Sequence, residues 1–335
     1  MPELLTIPKE LRLMMVEELA RSTVFRFPSK ANNMNNLNSH NLAILQTCQQ
    51  LYSESKSLFL RHSLLDCRGT ENCLDVLSVM TTEQRKSVRF LKFTGTPIVL
   101  HKAENLGGTG MGLEYSVYSA QVVLQLLFPE LRLDTLVFLD PHHGPSDWVL
   151  HSGRHFGDYQ AYSQVTELVK YGNGWNTLHY ISTNTAFLQT ITSPQPITWD
   201  TCIKARDGES SGACTDIFIS KKGYGEIAGP ELSSNMWETL DMNVLKSEVK
   251  NLEDEPNEEL AWYRNNKVLL KRSVLVKVCR GKGADHDGGA SLQGVGANVI
   301  LKRLYEQQGW KGLKEDKLKW FQVMPYGQTN GEGQT

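Results

Sequence analysis

Three apolar phrases constrain this chain most: Val88-Arg89-Phe90-Leu91-Lys92-Phe93, Leu133-Asp134-Thr135-Leu136-Val137-Phe138 and Trp175-Asn176-Thr177-Leu178-His179-Tyr180. They begin near residues 88, 133 and 177, about 44 residues apart, and each follows a stretch with helical periodicity. Parallel strands cannot be joined by a tight turn, because the crossover needs a dozen or more residues and is usually a helix. The spacing therefore predicts strand–helix units and a mostly parallel sheet, an α/β fold with α+β as the alternative. Helices are expected over 71–80, with Leu74 and Leu77 inward, over 115–127, with Val122, Val123, Leu126 and Leu127 inward, and over 159–171. Strands are expected over 63–67, 88–93, 133–139, 177–182, 215–219 and 274–278, and a last helix over 298–308. Pro194-Gln195-Pro196 reads as a break, 281–296 as a loop, and acidic 248–259 around Pro256 as a surface loop. The rhythm of the three phrases resembles the strand of a leucine-rich repeat, at a longer period than the usual ~20–29 residues.

The chain opens with a different pattern. Thr6 is placed to cap a helix whose first turn tolerates Pro8, since the N–H lost there has no partner. Leu11, Met15 and Leu19 fall on one face of that helix, widened by Met14, with Lys9, Glu10, Glu17 and Glu18 mostly outside it. An Asn-rich stretch (Asn32, Asn33, Asn35, Asn36, Asn38, Asn41) is loop by composition. From Ser39 a second helix is expected, with Leu42, Leu45, Cys48, Tyr52, Ser55 and Phe59 at three- and four-residue intervals.

Ile7-Pro8-Lys9-Glu10-Leu11-Arg12, followed by Leu45-Gln46-Thr47-Cys48-Gln49-Gln50-Leu51-Tyr52-Ser53-Glu54, resembles the F-box-like head of a large group of filamentous-fungal proteins. The match rests on Ile7, Pro8, Glu10, Leu11, Leu45, Cys48, Gln50 and Glu54; Gln49 stands where arginine is usual, and the Asn-rich insert is longer than a standard link. Gly174-Trp175-Asn176-Thr177-Leu178-His179-Tyr180-Ile181 is a weaker echo of the same group. The resemblance implies a helical motif that buries an apolar face in an adaptor subunit of a cullin-RING ubiquitin ligase. Leu4, Ile7, Pro8 and Leu11 would be the anchors of a helix-in-groove contact. The chain then divides into an F-box-like head (1–62), a repeat-like α/β body (63–325) that would receive a protein substrate, and a disordered tail (326–335).

Charge limits other roles. Lys plus Arg number 35 against 37 Asp plus Glu, a formal net charge of −2, which argues against a chain devoted to nucleic acid or anionic lipid. No run approaches the ~18 apolar residues of a membrane span. The first ten residues lack the basic-then-apolar layout of a secretory signal, so a cytoplasmic or nuclear location is expected. Six scattered cysteines without a C-x-x-C pair are expected to be reduced and structural.

Enzymatic signals are sparse, and neither catalytic residue nor cofactor is assigned. Asp140, His142, His143, His151 and His155 form the one cluster with zinc-ligand chemistry, and a metal-dependent enzyme built on His142, His143 and His151 is the alternative from another class. Gly153 and Gly157 work against the helix that His151 and His155 would need to share a face, and no glutamate base accompanies them. The glycines at 107, 108, 110 and 112 fit neither phosphate-loop pattern. His179 reads as a half-buried structural histidine, and Trp148, Trp175 and Trp199 as core. A generic interaction scaffold, with the head merely capping the sheet, is the remaining possibility.

Overall fold

The computed structural model describes residues 6–27, 49–102, 115–140, 154–182, 195–220, 237–239, 273–284 and 296–323. In chain order these form α1 (Lys9–Arg21), β1 (Val24–Phe27), α2 (Gln49–His62), β2 (Leu64–Cys67), α3 (Thr70–Val79), α4 (Thr82–Ser87), β3 (Phe90–Thr94), β4 (Ile98–Lys102) and β5 (Tyr115–Tyr118). There follow α5 (Ala120–Leu127), β6 (Leu133–Leu139), α6 (Arg154–Tyr171), β7 (Trp175–Ser182), α7 (Gln195–Asp207), β8 (Cys214–Ser220), β9 (Trp237–Thr239), β10 (Val274–Cys279) and α8 (Gly296–Val323). The fold is α/β.

One eight-stranded sheet runs in the order β1-β2-β3-β6-β7-β10-β8-β9. Its first five strands are parallel, and each step along the chain moves one place in the same direction. Right-handed crossovers that always advance the same way put every connecting helix on one face. The main core has that composition. Leu65, Leu91, Leu136 and Leu178 lie side by side across four strands, with Cys67, Phe93, Phe138 and Tyr180 in the next row. All eight belong to a single buried cluster with Leu74 and Leu77 of α3, Val123 and Leu127 of α5, Val165 and Leu168 of α6, Trp199 and Ile203 of α7, and Leu301 and Trp310 of α8. Phe138 stacks on Tyr180 and meets the Phe93 ring edge-on. The opposite face carries a separate small cluster of Val137, Ile181 and Leu275. The order of β10 between β7 and β8, antiparallel to both, ends the parallel array.

Local chemistry sets the element ends. Thr81 and Gln84 form a reciprocal capping box at the start of α4, satisfying two N–H groups that lack helical partners. Gly95, just after β3, has no room for a side chain, because a Cβ there would overlap the Phe138 ring. Asp207 and Arg280, both almost fully buried, pair through two hydrogen bonds of 2.7 and 2.8 Å, tying the end of α7 to the end of β10.

Three expectations are corrected. The helix expected over 115–127 begins at Ala120; residues Tyr115–Tyr118 are instead a strand paired antiparallel with β4. Tyr-Ser-Val-Tyr favours extended backbone, and Ser119, itself extended, marks the switch to helix. Pro196 does not break the chain but sits in the first turn of α7, where its missing N–H is harmless. The C-terminal helix runs far past 308, interrupted at Gly309, whose φ of 66° is open to glycine. The regions 248–259 and 326–335 lie outside the described residues.

Candidate interaction surface

The head is built on a charged strut. Arg12, the last residue of the Glu-Leu-Arg phrase, is buried on α1 and donates from its guanidinium to both Glu54 oxygens of α2 at 3.0 and 3.1 Å. A further N–H donates to the Ile7 carbonyl at 2.7 Å, fixing the turn that enters α1. Gln50, one turn before Glu54, donates to Glu54 Oε1 at 3.0 Å. The Gln50 hydrogen bond, then Arg12, hold the Glu54 carboxyl below its usual range. Around this strut Val16 and Ala20 of α1 pack against Leu51 and Phe59 of α2, and Phe25 of β1 adjoins both this cluster and the main core.

Because Arg12, Val16 and Ala20 face α2, the other side of α1 faces outward. Leu11, Met14 and Met15 are 51%, 62% and 55% exposed, and Pro8 is exposed as well. Positions 8, 11, 14 and 15 step at three- and four-residue intervals, so they form one stripe. Its acidic rim is ordered: Arg21 pairs with Glu17 at 2.7 Å and with Glu18 at 3.4 Å. Large apolar groups adjoining on one exposed helix face mark contact surfaces, and methionines adapt to the partner's shape.

Of the four anchors read from sequence, Pro8 and Leu11 lie on the stripe, Ile7 is half-buried, and Leu4 lies outside the described residues. Leu19 does not join the stripe; it packs against the α1–α2 cluster. The role of Arg12 was missed in the sequence, although a cation four residues before Val16 and seven before Leu19, inside an otherwise apolar face, was the available signal.

The metal alternative gains nothing from the described residues. His142, His143 and His151 lie outside them, while Asp140 accepts a 2.8 Å hydrogen bond from the Ser182 hydroxyl. Among the described residues no group of three or more His, Cys, Asp or Glu side chains is placed to hold a metal, and no helix is long and apolar enough to cross a membrane. A polar cavity of about 380 Å³ opens at the ends of β2 and β3 beside Arg68, Thr70 and Lys314. Thr70 is bonded to the carbonyls of Thr94 and Thr96, and Lys314 to Asp75 at 2.6 Å, so their polar groups are occupied.

His179 differs from its sequence reading. It lies on the face opposite the main core, between Val137 and Lys277, is buried, and neither ring nitrogen has a hydrogen-bond partner among the described residues. Desolvation, then the Lys277 charge, lowers its pKa to about 4, so the imidazole is neutral at physiological pH.

No family model, curated protein or solved structure matches the chain.

Proposed function

We propose that the chain is a non-enzymatic recruiting protein, an F-box-like substrate receptor whose α1 stripe docks in an apolar groove of a cullin-RING adaptor subunit. One observation carries the reading: Leu11, Met14 and Met15 face solvent on a helix that the Arg12–Glu54 strut holds in a fixed orientation. A helix already folded and oriented loses little ordering entropy on binding, and three apolar side chains at helical spacing suit a groove. The sheet-bearing body then becomes the platform for a protein substrate.

Pull-down with the purified adaptor subunit tests this. Wild type binds, and Leu11→Asp with Met15→Asp abolishes binding while the melting temperature stays within ~2 °C, because both residues are exposed. Wild-type protein that fails to bind overturns the ligase role. A second reading has its own support, since β1 is the edge strand of the sheet and Phe25 joins the head to the core. In that reading the head caps the sheet, and the wild type does not bind.

A further inference from the structure

Strands β8 and β10 run antiparallel with Cys214 directly opposite Cys279, beside Asp216 opposite Lys277. The backbone bond from Ser220 N–H to the Ser273 carbonyl identifies which opposed residues exchange ladder bonds. Cys214 and Cys279 lie an even number of residues from that bond on each strand, so they are a pair of the same kind, with Cα atoms about 5.5 Å apart. A disulfide joins Cα atoms roughly 4.4–6.8 Å apart. Directly opposed residues also project from the same face of a sheet, so the two thiols face each other. Both are free and only half-buried, within reach of a small oxidant. The other adjacent pair, Cys67 and Cys73, is fully buried.

We propose that Cys214 and Cys279 form an oxidative modification site, closed by a peroxide into a cross-strand disulfide that staples β8 to β10. One thiolate attacks a peroxide oxygen, breaking the O–O bond and leaving a sulfenic acid and hydroxide. The second thiol attacks that sulfur, forming the S–S bond and releasing water. The net change is two thiols and one hydrogen peroxide to one disulfide and two waters; sulfur is oxidised and peroxide oxygen reduced. Burial, then the neighbouring Cys279 and Asp216, push the Cys214 thiol up to about 11, so closure quickens as pH rises through the alkaline range. Opposed Cβ atoms of a ladder-bonded pair start about 5.5 Å apart and must approach, which makes the bond readily reduced again. The site does not depend on what the head binds.

The full chain is treated with a small excess of hydrogen peroxide, alkylated, digested without reductant and analysed by mass spectrometry. The expected product is a peptide pair joined through Cys214 and Cys279, lighter by two hydrogens and separated by dithiothreitol, with the melting temperature raised by ~4 °C or more. Cys279→Ser removes both the link and the rise. The wild-type peptide map is decisive whether or not that variant folds. Recovery of both cysteines as alkylated thiols or separate sulfinic acids, or a link from either one to Cys202, overturns the proposal; a correct link without a rise in melting temperature overturns the staple.

Discussion

A single side chain can act against the fold that holds it, and His179 does so. Its ring is buried beside Val137 and Lys277 with neither nitrogen bonded among the described residues, and a buried polar atom without a partner costs about 1–3 kcal/mol. The folded pKa of about 4 lies below the ordinary 6.5. Between those values the unfolded chain takes up a proton that the folded chain refuses. The contribution is therefore fully present above pH 6.5 and is lost as pH falls towards 4, by ~3 kcal/mol in all. Urea unfolding from pH 7 to 4 should show this slope in wild type and a flatter one in His179→Leu; an unchanged slope in the variant would assign it to other groups. Gly95 is the opposite case, a residue whose emptiness is used. Gly95→Ala drives a methyl into the Phe138 ring and should lower stability by about 1–3 kcal/mol, read by the denaturation midpoint. Neither effect was legible in the sequence. His179 alternates correctly for a strand, but whether an imidazole finds a partner depends on neighbours brought in from β6 and β10, and a glycine after a strand looks like any turn residue.

At the level of elements, periodicity carried most of the information. Strands β3, β6, β7, β8 and β10 and helices α3 and α6 stand near their expected positions, and α8 starts near its expected place, because each contributes several apolar residues to one core. What the pattern missed was mostly short or edge-bound; the exception is the 13-residue α7, read as a break at Pro194-Gln195-Pro196 although its Trp199 and Ile203 join the main core. β1 has four residues, of which Arg26 is exposed, and α4 shows its capping box but buries no residue. The motif that suggested a docking head turned out to have two jobs on opposite sides of α1. Arg12, Gln50 and Glu54 bind α1 to α2, while Pro8 and Leu11, extended by Met14 and Met15, face outward. This division makes a prediction independent of any partner. Glu54→Ala leaves the Arg12 guanidinium buried without its carboxylate, an arrangement proteins do not tolerate well, so α1 should loosen while the sheet stays folded. Limited trypsin digestion should then cut after Arg12 faster than in wild type, with the body resistant over the same interval. Equal cleavage rates would mean that packing of Val16 and Ala20 alone holds the helix.

For the whole molecule, the separation of the head cluster from the main core has thermodynamic consequences. Strands β3, β6, β7 and β10 are paired on both edges and fill the main core from one face, so their amides open only with global unfolding. β1 and β9 each have one strand neighbour among the described residues, and α1 and α2 share a cluster of their own, joined to the main core at Phe25. Small clusters with few crossing contacts form separate opening units. Hydrogen exchange should accordingly resolve two classes. Amides of α1 and α2 should exchange together, with one opening free energy, well before those of β6 and β7, while β1 follows the head because its N-terminal neighbour α1 leads directly into it. A head that opens separately can bend or lift without disturbing the sheet, which suits a recruiting element carried on a rigid platform. Should α1, α2 and β7 share one opening free energy, the head is a continuation of the body's core, and the capping reading gains at the expense of the recruiting one.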